Sequence, residues 1–217
     1  MLKKIILTVV FVVLSTNLQA GIFEDVENIN KGTDGYVIGK VLNKKQKELL
    51  ETKGLRSDNP NVRKFLANEN LLIAINSKNL KVLAINKRFQ QIKQEKIKSL
   101  IGDMIHDYDE PTAMAHDKML YWIYDNKGIK FSEDDIKKWK DSLKETSNTK
   151  SASLADFLNK APLQKTSKNK KVEFKPYISV KLSSDQPMMT KQQEPKLANV
   201  YLMISSDKLI TETTTVK

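Results

Sequence analysis

The stretch "NLLIAINSKNLKVLAIN", residues 70–86, nearly repeats itself, and it decides the fold. Two apolar runs flank the polar tetrapeptide "NSKN", residues 76–79, which is typical of a tight turn. A helix through the stretch would place these four polar residues in its middle, where they are unfavourable. We therefore predict a β-hairpin. The residues predicted to share a face are Leu71, Ile73 and Ile75 in the first strand, and Leu80, Val82 and Ala84 in the second.

Apolar residues recur at helical spacing on both sides of this hairpin. The helices predicted from this spacing cover 36–53, 62–67, 87–103, 112–126, 132–144 and 153–160. Ser132 is a favourable N-cap for the helix at 132–144. Alternating apolar residues predict two further strands, at 172–183 and 197–206, followed by a tail at 207–217. Strands at both ends of a helical region predict an α+β domain, with a single antiparallel sheet and helices on one side.

The N-terminus has the layout of a secretory signal peptide. A basic start, "MLKK", precedes a ten-residue apolar run and a polar exit that ends at Ala20. The apolar run is shorter than the roughly 20 residues that span a bilayer, although an uncleaved anchor is the alternative. The chain has no cysteine, which excludes a lipoprotein anchor, disulfides and thiol catalysis. We therefore expect an exported protein of a bacterial envelope, periplasmic or secreted and cleaved near Ala20.

Composition and order divide the chain into four expected parts. After the signal peptide at 1–20 we expect a flanking segment with an amphipathic helix at 21–69. The α+β domain would cover 70–206, with a helical insertion at about 125–170, and the tail would follow.

The chain is basic. Its net charge is +11, and removal of Lys3 and Lys4 with the signal peptide leaves +9, since 11 − 2 = 9. Such a charge favours an acidic partner or is simply that of a lysine-rich soluble surface. Only three of the cations are arginines, and lysines suit solubility better than bidentate phosphate recognition. The sequence therefore does not favour nucleic acid as the partner.

Residues 70–103 resemble the first half of a PAS sensory domain, and residues 172–206 match its later strands by pattern. The matching features are the strand at 71–76, the strand at 80–86 with Asn86 at its end, Phe89, and the run Leu100-Ile101-Gly102. The resemblance implies a PAS-like five-stranded sheet that binds a small ligand or a partner protein. It also implies that the helix at 36–53 is a candidate for homodimerisation, the alternative being that this helix packs on its own sheet.

The densest polar cluster is "HDYDEPTAMAHD", residues 106–117. Histidine and carboxylate together suit zinc, nickel or iron, and His106 and His116 are the candidate metal ligands. They are ten residues apart, unlike the i, i+4 pair of a helical zinc site, and helix capping with solvated charge is the alternative. The PAS resemblance adds His116 as a candidate heme ligand on a helix. The sequence does not identify a cofactor.

Aromatic residues in the next segment are candidates for a small-molecule pocket, with an ordinary core as the alternative. The ligand-binding candidates taken from both regions are His106, Tyr108, His116 and Tyr121. No phosphate-binding glycine motif occurs, and no nucleophilic triad is indicated.

The sequence thus predicts an exported, non-enzymatic, PAS-like module that binds a small ligand or another envelope protein. The alternative is a structural or accessory component of an envelope or secretion assembly, without a small-molecule ligand. An enzyme is the third and least supported class.

Overall fold

A computed structural model describes residues 22–137, 176–188 and 197–215. The helices are α1 (22–28), α2 (Lys44–Thr52), α3 (Gln94–Tyr108), the helical residues 133–137 (α4) and α5 (Asp207–Thr215). The strands are β1 (Gly32–Thr33), β2 (Tyr36–Val37), β3 (Gly54–Leu55), β4 (Val62–Asn68), β5 (Leu71–Asn76), β6 (Val82–Ile92), β7 (Ala113–Ala115), β8 (Met119–Tyr124), β9 (Ile178–Ser184) and β10 (Ala198–Ser205).

The strands form two antiparallel sheets. Strands β1 and β2 make a short ribbon, and the other eight form one sheet in the order β3-β4-β5-β6-β10-β9-β8-β7. The expected α+β class with an antiparallel sheet is therefore confirmed. The expectation of a single sheet is wrong, and the main sheet has eight strands instead of the five that the PAS resemblance implies.

The core lies on one face of the eight-stranded sheet. A row of directly opposed residues crosses six strands, and all its side chains are fully buried: Phe65, Ile73, Ile85, Ile204, Val180 and Trp122. Side chains of α1, α3 and α5, including Val26, Ile97 and Leu209, belong to the same apolar cluster. Because each fully buried aliphatic side chain contributes about 1.5–3 kcal/mol, this row stabilises the sheet strongly.

The predicted hairpin is confirmed as β5 and β6. The Asn76 side chain accepts hydrogen bonds from the backbone N–H groups of Lys78 and Asn79, which fixes the turn. The predicted face of the second strand is wrong, because a bulge after Ala74 shifts the register. Ala84 therefore pairs with Ala74 on the opposite side from the core, and Ile85 takes the buried position.

The predicted helix at 36–53 begins eight residues later than expected, at Lys44. Gly39 has a φ of 84°, and a side chain there would meet the Glu27 backbone nitrogen at 2.9 Å, so the chain turns before the helix. Asn43 and Gln46 then form a capping box that starts α2. Leu50 of α2 is buried in the core of the chain's own sheet. Residues 22–69, which we expected to flank the domain, thus contribute to the same core.

Two further helix predictions are wrong because these segments pair as strands, the first with the adjacent β5 and the second with the distant β10. Residues 62–67 belong to β4, and residues 87–92 continue β6, which pairs with β10 through Phe89 and Val200. The helix that follows runs from Gln94 to Tyr108 and passes through Gly102, which we expected to end it. Tertiary pairing overrides local propensity here.

The predicted helix at 112–126 is also wrong, since this segment forms the hairpin of β7 and β8. Strand β8 is buried on both faces: Trp122 lies in the main core, while Tyr121 and Ile123 lie in a second cluster. A strand buried on both faces has no polar alternation, so its sequence resembles that of a buried helix.

The two C-terminal strands are confirmed as β9 and β10, but residues 207–215 form α5 instead of a tail. The start of the helix predicted at 132–144 is confirmed, because Ser132 caps α4 by accepting the Asp135 backbone N–H at 3.2 Å. The predictions for the signal peptide, for the helix at 153–160 and for most of the insertion fall outside the described residues. Within the described ranges, no helix is long and apolar enough to cross a membrane.

Candidate binding surface

The second face of the sheet is only partly covered. Side chains alternate along each strand, so the neighbours of the core residues point to the other side. One row of opposed residues there consists of Leu66, Leu72, Asn86 and Met203. Leu66 and Met203 are 36% and 38% exposed. Leu55, at the sheet edge beside Lys64, is 45% exposed.

We call this surface the open face. It consists of the outward-facing residues of β3, β4, β5, β6 and β10: Leu55, Lys64, Leu66, Leu72, Ala74, Ala84, Asn86, Arg88, Tyr201 and Met203. At the other end of the same side, Ile136 of α4 packs against Tyr121 and Ile123. That end is therefore covered by the chain itself, whereas Leu55, Leu66 and Met203 remain exposed.

The charges on the two faces differ. None of the eight strands contains Asp or Glu. Two strand cations are paired with carboxylates of the covering elements: Arg63 with Glu51 at 3.0 Å and Lys87 with Asp34 at 2.8 Å. On the open face, Lys64 and Arg88 form no ion pair with any described residue. The middle row of the open face is therefore mainly apolar, with Asn86 as its polar member, and a cation lies on each side of that row.

Two contacts between a cation and an aromatic ring lie on this side of the sheet. The Arg88 guanidinium lies 5.8 Å from the centre of the Tyr201 ring, which holds the cation against the sheet. Lys181, beside Met203 in β9, lies 5.6 Å from the Tyr121 ring, and burial lowers its pKa below the ordinary value for lysine.

A polar and aromatic cluster lies on the core side, at the end of α3. The Tyr108 hydroxyl donates to the Gly32 carbonyl at 3.1 Å, and the Tyr124 hydroxyl donates to the Tyr108 carbonyl at 3.3 Å. Lys31 Nζ lies 4.7 Å from the Tyr124 ring and 5.1 Å from the Tyr108 ring. Burial is the main reason that the pKa of Lys31 is lowered and that the pKa of Tyr108 is raised to about 12.

This cluster joins elements through hydrogen bonds between its buried polar groups and the backbone. The Trp122 indole N–H donates to the Asp109 carbonyl, which fixes the chain where α3 ends. Among the described residues, no buried side-chain nitrogen or oxygen lacks a hydrogen-bond partner. The cluster therefore holds the end of α3 against β8 and β1.

The structure places the four predicted ligand-binding residues in four different environments. The His106 side chain is 88% exposed, where it contacts Asp107, and Tyr108 is buried in the main core. His116 is exposed in the turn between β7 and β8, so its expected position on a helix is wrong. Tyr121 lies on the opposite face from Tyr108 and donates to the Met119 sulfur. Within the described ranges, no group of three His, Cys, Asp or Glu could hold a metal.

A shallow depression lies at the start of α3. It has a volume of about 450 Å³, is wide open to solvent, and is lined by Ile92, Lys93, Glu95, Lys96 and Ser99. None of the four predicted ligand-binding residues lines it.

The residues of the open face were missed by sequence reasoning. The prediction of a helix at 62–67 concealed that Lys64 and Leu66 lie on a strand, and the predicted helix at 87–103 did the same for Arg88. The sequence does contain one signal for this surface, the absence of Asp and Glu from the strands. It can be recognised only when the correct bounds of β4 and β6 are known.

Comparison of the chain with protein-family models, with curated proteins and with solved structures finds no match. The chemistry of its own surface therefore carries the functional argument.

Proposed function

We propose that the protein is an exported, non-enzymatic binding module that engages another envelope protein through the open face. The observation that carries this proposal is the exposure of Leu55, Leu66 and Met203 on one side of a sheet whose other side is covered. Large apolar side chains that share one exposed surface mark interaction sites in soluble proteins.

The alternation along the strands supports this proposal. An antiparallel sheet that faces only water carries polar side chains on its outer face. Here the outward residues of the middle strands include Leu72, Ala74, Ala84 and Met203, so that face resembles one that another element covers. A partner that covers it would bury these side chains and gain about 25 cal/mol for each Å² of apolar surface removed from water.

We also propose, more specifically, that this module is PAS-like. The order of a hairpin, a helix and four antiparallel strands supports it for residues 70–206. A PAS-like module would hold a small ligand between its sheet and its helices, near the depression at the start of α3. A structural component of an envelope assembly without such a ligand is the alternative, and the open face would serve as its docking surface as well.

The proposal is tested with matched aspartate variants of the mature chain. Leu66→Asp and Met203→Asp place a charge on the open face, and Ile129→Asp places one at a residue that is 60% exposed in the turn after β8. The tagged variants are incubated with an envelope extract of the source cells, and retained proteins are identified by mass spectrometry. Melting temperatures are measured in parallel.

We expect all three variants to melt like the wild type, because none of the three side chains is part of the core. A protein retained by the wild type and by Ile129→Asp, but lost from both open-face variants, is the expected result. Retention of the same proteins by all variants would argue against the open face as the binding surface. Unfolding of the open-face variants would show that the chain already covers this surface.

A further inference from the structure

We infer that the segment of the partner that covers the open face is an acidic amphipathic helix. This inference rests on the proposed function and adds the chemistry of the partner. Its basis is the combination of a mainly apolar row with two cations on opposite sides of it, Lys64 and Arg88, that have no ion-pair partner among the described residues.

The two cations on the open face differ from Arg63 and Lys87, the strand cations on the core face. Arg63 and Lys87 each have a carboxylate within 3.0 Å, supplied by α2 and by the turn between β1 and β2. The elements that cover the core face thus bring acidic groups to the cations they meet. Lys64 and Arg88 have no such group among the described residues, and a partner with carboxylates would supply it.

The positions of the two cations define the geometry of the partner. Lys64 is opposite Ala74, which is opposite Ala84, and Arg88 lies four residues beyond Ala84. Two strand spacings of roughly 5 Å and four residues of roughly 3.3 Å place the two Cα atoms about 16 Å apart. The row of Leu66, Leu72, Asn86 and Met203 passes between them.

A helix matches this arrangement. Along the central row the two cations are two strand spacings apart, roughly 10 Å, which about seven residues of helix span, and apolar residues spaced three and four apart would form a stripe over the row. Glutamates or aspartates on both borders of that stripe would reach Lys64 and Arg88. Helices also cover the other face of this sheet, so the same packing on both sides yields a three-layer structure.

The chain segments 138–175 and 189–196, which lie outside the described residues, carry a net positive charge, the opposite of the charge that the open face would attract. Residues 138–175 contain ten lysines and four Asp or Glu residues, a net charge of +6, since 10 − 4 = 6. Residues 189–196 contain two lysines and one glutamate, a net charge of +1. Charges of the same sign oppose docking of these segments beside Lys64 and Arg88, and an acidic segment from another protein is attracted.

The open face is also poorly suited to nucleic acid. Leu66, Leu72 and Met203 form most of its central row and offer nothing to phosphate groups, and the polar residue of that row, Asn86, carries no charge. The aromatic ring of Tyr201 is already in contact with Arg88, so it is not free to stack on a base. An apolar stripe with charged borders matches a helix better than a phosphate backbone.

The test uses the full mature chain and two designed peptides. The acidic probe is an 18-residue helical peptide with leucines spaced three and four apart and glutamates on both borders. The matched probe has lysine at every glutamate position. Fluorescence anisotropy measures the binding of each peptide to the wild type, to Lys64→Glu/Arg88→Glu and to Lys98→Glu, whose lysine is exposed on α3.

We expect the acidic peptide to bind the wild type and to lose about tenfold or more in affinity for the double variant. Lys98→Glu should change this affinity by less than about twofold. The double variant should bind the basic peptide instead, which would show that the charges on the open face select the partner. Unchanged melting curves of the variants would confirm that they are folded.

Three results would overturn the inference: equal affinity of the wild type for both peptides, an equal loss with Lys98→Glu, and displacement of the acidic peptide by a 20-nucleotide single-stranded DNA at similar concentration. If the acidic peptide fails to bind while the open-face aspartate variants still lose an envelope protein, the inference fails and the proposed function stands. If those variants also keep every envelope protein, both fail.

Discussion

At the scale of single residues, Tyr108 connects three parts of the fold. It lies at the end of α3, donates a hydrogen bond to Gly32 beside the β1–β2 ribbon, and packs against Trp122 of β8 at 6.1 Å between ring centres. Burial, reinforced by the nearby Asp107 carboxylate, raises its pKa to about 12. The neutral phenol is thus favoured in the folded state.

Tyr108→Phe should change the stability at alkaline pH. Folding raises the pKa of Tyr108 from an ordinary value near 10 to about 12. The neutral phenol therefore contributes fully to the free energy of unfolding below pH 10, and this contribution is lost as the pH rises towards 12. The variant should show a shallower loss of unfolding free energy over this range. It should also lose about 1 kcal/mol at neutral pH with the hydrogen bond to Gly32. Urea denaturation at several pH values measures both effects, and parallel curves for variant and wild type would contradict the assignment.

Ser206 is a second residue whose role the structure defines. Its side-chain oxygen accepts the Leu209 backbone N–H at 3.2 Å and so caps α5, in a segment that we expected to be a tail. Ser206→Ala should lower the unfolding free energy by about 1 kcal/mol. Ser183→Ala, at a half-buried position in β9, is the control and should have a smaller effect. Equal urea midpoints for the two variants would show that the cap does not stabilise the domain.

At the scale of elements, the sequence predicted the strands with clear alternation and missed those without it. The hairpin of β5 and β6 and the strands β9 and β10 were found because buried and half-exposed residues alternate along them. Strand β8 was taken for a helix because both of its faces are buried. The end of β6 depends on β10, which is distant in sequence, whereas β4 pairs with the next strand and was missed because its burial does not alternate clearly.

The register of β6 can be tested with two neighbouring substitutions. Ile85 lies in the core row, whereas Ala84 pairs with Ala74 on the open face. Ile85→Asp should unfold the domain, since an unpaired buried charge costs on the order of 4 kcal/mol or more, a large part of the stability of a small domain. Ala84→Asp should keep cooperative melting. Circular dichroism during heating distinguishes them, and unfolding by Ala84→Asp alone would instead support the register expected from the sequence.

At the scale of the whole molecule, the eight-stranded sheet has two chemically different faces. One is covered by α1, α3 and α5, and its cations Arg63 and Lys87 are paired. The other retains exposed Leu55, Leu66 and Met203 together with Lys64 and Arg88, which form no ion pair within the part of the chain that the structure describes. The basic charge of the chain was evident from composition. The placement of Lys64 and Arg88 on the open face was not, because that depends on which residues oppose each other across strands.

The central claim, that this face is open in the isolated chain, is tested most directly by methionine oxidation. Met203 is 38% exposed on the open face, Met114 at the sheet edge is 53% exposed, and Met104 of α3 is 4% exposed. The mature protein is treated with hydrogen peroxide, and the oxidation rate of each methionine is followed by mass spectrometry. We predict that Met203 is oxidised at a rate close to that of Met114 while Met104 stays protected. Protection of Met203 to the level of Met104 would contradict the account, because the open face would then be covered within the chain itself.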